Sequence, residues 1–171
     1  TWSAIGGRSS VFEDKAPGAI YLPAGEEATI TADTAVELAV CSAPGKGASG
    51  AARIIEAGKM SQEVRGKETN TRYVRNILPE TEPADGLLVV EVITPSGNWS
   101  SYPPHKHDRD ALPEESKLEE TYYHRLNPGS GYVHQRVYTD NRSIDETLSA
   151  EDRDVVLVPE GYHPVGVPHG Y

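Results

Sequence analysis

The residues best suited to chemistry are crowded into one part of the sequence. All six histidines, His105, His107, His124, His134, His163 and His169, fall in residues 105–171, and the first 104 residues contain none. Two of them sit at i and i+2 in Tyr102-Pro103-Pro104-His105-Lys106-His107-Asp108. On an extended backbone side chains alternate between faces, so both imidazoles point the same way and can reach one metal ion, at Zn–N distances of ~2.0–2.1 Å. The two prolines suit a strand entry and stiffen the approach. A solvated surface pair is the competing reading of these residues taken alone. Further on, Glu119 and Glu120 open a strand-like stretch that runs through Tyr122 to His124, and His163 follows Pro159-Glu160-Gly161-Tyr162. Adjacent strand residues face opposite ways, so only one of Glu119 and Glu120 can share the histidines' face. By the same rule Lys106 points away from its two neighbours and reads as structural.

Such groups need a scaffold, and the punctuation of the chain is that of short strands. Apolar, often β-branched runs at 19–22, 28–31, 36–40, 53–55, 87–93, 120–126, 132–139 and 155–158 are separated by Pro, Gly and Asp clusters. No apolar i, i+3, i+4, i+7 pattern persists for ten residues, which excludes long helices and favours a sandwich, jelly roll or barrel. The polar, twice proline-broken stretch 78–86 is the best linker, so the chain is expected to divide near residue 85 into two β units. Gly45-Lys46-Gly47-Ala48-Ser49-Gly50 lacks the spacing of a phosphate loop and reads as a hairpin turn. Cys41, in an apolar run, reads as a small buried hydrophobe, and Glu114 and Glu115 as solvated residues of a charged loop.

Composition narrows the partners. Against 16 Lys and Arg stand 26 Asp and Glu, a formal net charge of −10, which argues against nucleic acid or an anionic membrane as the main partner. With 37% apolar and 25% charged residues the chain is globular rather than disordered. A single cysteine excludes an internal disulfide, and no apolar run approaches the roughly 18–20 residues of a membrane span, so a soluble, cytoplasmic protein is expected. The start at Thr1-Trp2 and the stop at Gly170-Tyr171 read as cuts within a longer polypeptide.

The order of the chemical groups resembles the cupin superfamily, where H-x-H precedes a glutamate and an aliphatic-aromatic strand, and a later P-x-G motif is closely followed by H. The likeness implies His105, His107, Glu120 and His163 as ligands of a divalent ion. Glu120 is preferred over Glu119 because Tyr123 follows it by three residues, as the superfamily's aromatic does. Zn, Mn, Fe(II) and Ni suit three imidazoles and a carboxylate comparably well. The stretch between His107 and the glutamates is longer than the superfamily's, and Gly161 and His163 stand one residue closer.

A longer match is more specific. Residues 98–108, then Pro113-Glu114-Glu115-Ser116 and Gln135-Arg136-Val137-Tyr138-Thr139-Asp140, are similar to the 5-deoxy-glucuronate isomerase family of myo-inositol catabolism, as are residues 37–47 and 76–82 upstream. The resemblance implies a bicupin of two jelly-roll or β-barrel units, 1–85 without a metal site and 86–171 carrying it. It implies aldose–ketose isomerisation of 5-deoxy-D-glucuronate to 5-dehydro-2-deoxy-D-gluconate, with a small sugar acid as partner and the oligomeric state open, a homo-oligomer included. That reaction needs a Lewis acid on the carbonyl and adjacent hydroxyl, and a group to move the proton, for which Glu119, Tyr122, Tyr138 and Asp140 are the candidates. Arg136, with its planar fork, would hold the substrate carboxylate, although a solvent-facing sheet arginine fits it equally. His124 shares the face of Glu120 and would contact substrate. Two other readings remain: an Fe(II) cupin dioxygenase using the same ligands, and a non-catalytic sugar-binding cupin.

Overall fold

The computed structural model describes residues 1–45, 47 and 50–171. The hairpin turn expected at 45–50 involves Lys46, Ala48 and Ser49, which lie outside the described residues. The described chain is all-β, as expected. Its only helical elements are two 3-10 turns, Ala57–Lys59 and Glu68–Asn70, and no helix is long and apolar enough to cross a membrane. The residues group into two compact units, 1–63 with 74–92 and 64–73 with 93–171. The expected linker, 78–86, lies within the first of these.

The first unit contains β1 (Ala19–Tyr21) paired antiparallel with β2 (Arg53–Ile55). The divisions between units fall inside β3 (Ser61–Arg65), β4 (Arg72–Leu78) and β5 (Val89–Ile93), which form a sheet of order β3-β4-β5. The runs at 28–31 and 36–40, expected as strands, are not strands. Val36, Leu38 and Val40 are 65%, 57% and 83% exposed. An alternating run supplies propensity, but a strand exists only where a neighbour takes up its backbone bonds, and among the described residues no strand pairs with these. Cys41 shares that exposure and is not the buried residue expected.

The second unit is built from two sheets. β7 (Glu120–Tyr123) pairs with β10 (Val155–Val158), and a four-stranded sheet runs β6-β11-β8-β9, with β6 at Trp99–Ser100, β8 at Tyr132–Tyr138, β9 at Asp145–Glu151 and β11 at Val165–Gly166. β8 and β9 pair over seven residues, from Tyr132 opposite Glu151 to Tyr138 opposite Asp145. Alternation then sorts the side chains. Val133, Gln135 and Val137 are buried on one face of β8, while His134 and Arg136 are exposed on the other. The buried face meets Val156 and Val158 of β10, with Leu126, Ala150 and Val165 completing the core. Each such fully buried valine contributes about 1.5–3 kcal/mol, enough to hold two small sheets face to face. β9 is almost wholly polar, and only Leu148 and Ala150 turn inward. It forms because β8 offers a complete ladder of partners.

Candidate metal centre

His105, His107 and His163 each offer a ring nitrogen, and these three atoms lie within 4.8 Å of one another. His163, 1% exposed, is the buried member, whereas His105 lies at the open side. Glu120 enters from β7, its Oε2 2.8 Å from His163 Nε2 and its Oε1 3.9 Å from His107 Nε2. The hydrogen bonds of the cluster leave two of its ring nitrogens unpartnered. His163 Nδ1 lies 2.9 Å from the Gly161 carbonyl, which can only accept, so Nδ1 carries the proton. In the neutral ring Nε2 is then a bare lone pair facing a carboxylate oxygen that also only accepts. Nε2 has no hydrogen-bond partner of proper geometry, and neither has the buried Nδ1 of His107. Two electron-rich atoms at 2.8 Å call for a positive charge, either a proton or a cation. The electrostatics agree. Burial alone would lower the pKa of His163, but the Glu120 carboxylate outweighs it and the net direction is upward. Burial would raise Glu120, and His163 and His107 more than offset it. Partial burial, then His163 and His107, hold His105 below the usual imidazole value. Three imidazoles and one carboxylate are a donor set that fits a divalent transition metal.

Local sequence explains the convergence. Along β7 the side chains of Glu120 and Tyr122 turn inward and those of Thr121 and Tyr123 outward. Gly161 sits at φ +93°, and a Cβ there would lie 2.5 Å from the Tyr138 carbonyl oxygen, so only glycine lets the chain turn back towards His163. The long spacing between His107 and Glu120 is a loop closed upon itself. Glu115 Oε1 accepts from the Asp108 and Arg109 amides at 2.7 and 3.0 Å, its other oxygen takes the Arg109 guanidinium, and the Leu118 amide donates to the His107 carbonyl. Glu115, expected in solvent, has a side chain only 8% exposed and is the centre of that loop.

Beside the cluster stands Tyr122. Its hydroxyl lies 3.2 Å from Glu120 Oε2, to which it must donate, and 2.8 Å from Ser101 Oγ, which is therefore the donor to Tyr122. Burial, then the Glu120 carboxylate, push the Tyr122 pKa up. Ser101 adopts φ +50°, the left-handed region that non-glycine residues avoid, where its hydroxyl meets Tyr122. Just past the end of β7, the His124 ring stacks on Tyr122 at 5.9 Å and its Nε2 lies 2.9 Å from Gln135 Oε1. Burial lowers the His124 pKa. Gln135 is 0% exposed and its Nε2 has no partner. Neither Ser101 nor Gln135 stands out by residue type. The period-two pattern Val133-x-Gln135-x-Val137 does mark Gln135 as a polar residue on the core face.

Of the residues expected at the site, His105, His107, His163, Glu120 and Tyr122 come together, with His124 adjoining. Four do not. Glu119 is exposed and outside β7. Tyr138 stacks on Tyr162 at 5.1 Å, flanked by the Arg136 and Arg142 guanidinium groups. Asp140 is exposed and engaged with Lys106. Arg136 is turned to the exposed face of β8, where Nε and Nη2 bind the two carboxylate oxygens of Asp145 at 2.8 and 2.9 Å. Arg136, expected to hold a substrate carboxylate, therefore lies on the face of β8 opposite to its inward neighbours Gln135 and Val137.

A model described as the KduI/IolB family matches residues 1–171. The 5-deoxy-glucuronate isomerase of Geobacillus kaustophilus strain HTA426 is 59% identical over 170 residues, covering 99% of this chain and 61% of that protein. The protein of the same name from Bacillus subtilis strain 168 is 55% identical over 172 residues, covering 100% and 63%. The crystal structure of an IolB-like protein from Salmonella typhimurium LT2 superposes with a TM-score of 0.93 at 53% identity, over 98% of this chain and 63% of that one. The chain thus spans a little over three fifths of the length of the relatives it matches, and its all-β architecture agrees with the cupin-like fold.

Proposed function

Because the chain belongs to the KduI/IolB family, we propose that its histidine cluster is the metal centre of an isomerase that converts the aldose 5-deoxy-D-glucuronate into the ketose 5-dehydro-2-deoxy-D-gluconate. The observation that carries the reading is the convergence of His105, His107 and His163 on Glu120, with the bare Nε2 of His163 set 2.8 Å from a carboxylate oxygen. The names of the relatives support the substrate class, a small sugar acid, and a cytoplasmic setting is part of this proposal. A divalent ion held there would polarise a carbonyl and its neighbouring hydroxyl, and so stabilise the charge that develops as the proton moves between carbons.

The remaining work falls to the chain's own side chains. Glu120 and the three imidazoles hold the ion, with the Gly161 carbonyl fixing the His163 ring. Tyr122 orients Glu120 through its hydroxyl and is itself oriented by Ser101. Of the four residues considered for proton transfer, Tyr122 alone has its reactive atom against the cluster. His124 and Gln135 line the adjoining wall. In this reading the second unit bears the metal and the histidine-free N-terminal residues bear none.

The test is NMR of 5-deoxy-glucuronate incubated with the full-length protein, with and without a chelator. Loss of the aldehyde signal and growth of the ketone, chelator-sensitive and without oxygen uptake, is the expected result. Unchanged substrate with the metal-loaded protein would sink the isomerase, and oxygen uptake would point to a dioxygenase instead.

A further inference from the structure

The second unit contains a carboxylate that none of the chemistry above uses. Asp108 follows the second histidine of the H-x-H segment directly, and its Oδ1 accepts the Gly161 amide at 2.7 Å, across 53 residues of sequence. Its other oxygen lies 3.5 Å from Lys106 Nζ. Its own amide is held by Glu115. Gly161 is the residue whose carbonyl, 2.9 Å from His163 Nδ1, sets the tautomer of that ring. A path therefore runs from Asp108 to the Gly161 amide and, across the Gly161 Cα, from its carbonyl to the His163 ring, and Asp108 is covalently next to His107. One carboxylate ties together the two loops that carry the ligating imidazoles.

The need for such a tie follows from the conformation. Gly161 stands at φ +93°, a region glycine enters readily but leaves as readily, so its own backbone does little to hold the turn. The Gly161 carbonyl belongs to the following peptide, whose Tyr162 amide donates to the Tyr138 carbonyl at 2.8 Å, while Asp108 holds the peptide before it. The two bonds fix Gly161 from both sides, and without Asp108 the turn is free to shift about φ and carry the carbonyl out of line with His163. The ring would then lose the acceptor that keeps its proton on Nδ1 and its lone pair on Nε2. We propose that Asp108 is a positioning residue for the metal centre: by holding the Gly161 amide, it presets the His163 ring for metal and couples the loop of His107 to that of His163. This rests on reading the cluster as a metal centre.

Zinc affinity of the full-length protein, measured by competition with a chromophoric chelator, tests it. Wild type failing to bind zinc would sink the metal reading itself and Asp108 with it. If wild type binds, Asp108→Ala should bind roughly 10–100-fold more weakly, the range for lost outer-shell partners. Asp108→Asn, which keeps a carbonyl oxygen for the Gly161 amide, should stay within about threefold of wild type by the same measure. Asp152→Ala is the control. That carboxylate also accepts a backbone amide, of Leu126 at 2.8 Å, and an arginine, Arg125, but touches no member of the cluster. Its removal should lower the thermal midpoint while leaving zinc affinity unchanged. Asp108→Ala binding zinc as wild type does, or Asp152→Ala losing affinity equally, overturns the proposal. Should Asp108→Ala not fold, Asp108→Asn decides alone, and a loss of tenfold or more from it overturns the role given to the Gly161 hydrogen bond.

Discussion

Each of the two units buries a cluster of charged or titratable side chains, and the two clusters are built on opposite principles. In the first unit Arg75 is 3% exposed and sits among its complements. Its guanidinium contacts Glu91 at 2.9 Å, Asp14 at 2.5 Å and the Lys15 carbonyl at 3.0 Å, while Arg8 grips the same Glu91 with both terminal nitrogens. Planar donors meet acceptors, and two cations meet two carboxylates. In the second unit three imidazoles and one carboxylate crowd together, the Nε2 of a neutral His163 faces a Glu120 oxygen, and two ring nitrogens are left without hydrogen-bond partners. The first arrangement is complete without any ligand, which marks a structural tie. The second calls for an added proton or cation, which makes it a candidate site. Burial alone therefore does not identify function, and the unmet demand of the buried groups does.

The sharpest way to break that contrast is to remove a group from each cluster. His107→Ala should lose zinc affinity by more than about 100-fold, since losing a ligand must exceed the 10–100-fold cost of losing an outer-shell partner. Activity should vanish with the metal, as read by chelator competition and by NMR turnover. Arg75→Ala should do the reverse. Removing one partner of a buried ion pair costs about 3–5 kcal/mol when the other is left alone. Here Arg8 still neutralises Glu91, so a loss of about 2 kcal/mol in denaturant unfolding is expected. Zinc affinity should not change. If Arg75→Ala weakened zinc binding as much as His107→Ala, the division into a tie and a site would fail.

The contrast was legible in the sequence on one side only. The histidine-free first 104 residues, the H-x-H segment and the later His163 pointed to the second unit and to four candidate ligands that the fold does bring together. The choice of Glu120 over Glu119 agrees with which of the two turns inward. The supporting groups were not legible. Ser101, Asp108 and Gln135 are ordinary polar residues whose importance comes from partners 21, 53 and 11 residues away, and such partners appear only once the chain has folded. Strands failed in the same way. The apolar runs at 28–31 and 36–40 have propensity without a neighbour, while polar β9 has a neighbour and little propensity. Propensity is local and pairing is not.

Within the site itself, Tyr122→Phe separates support from chemistry. The change deletes the hydroxyl between Ser101 and Glu120 while keeping the ring in place. If Tyr122 acts by orienting Glu120, zinc affinity should fall roughly tenfold, with a stability cost of about 1 kcal/mol. If instead kcat falls while zinc affinity and KM hold, the hydroxyl acts on the substrate and the assignment to Glu120 is wrong.

The smallest effect is expected from Arg136, for which the sequence left a carboxylate-binding role and a solvent-facing position equally open. Arg136 lies mid-strand between Gln135 and Val137, and its planar fork suits a carboxylate. The alternation of β8 resolves this, because Gln135 and Val137 both face the core and the residue between them must face out. There its fork is satisfied by Asp145, and its plane lies 4.8 Å from the Tyr138 ring centroid. Arg136→Ala should therefore leave KM unchanged in steady-state turnover and cost less than about 1 kcal/mol in stability, as an exposed ion pair does. A rise in KM of tenfold or more would show that the substrate carboxylate reaches the outer face of β8, and the site would then have to extend beyond the histidines to include it.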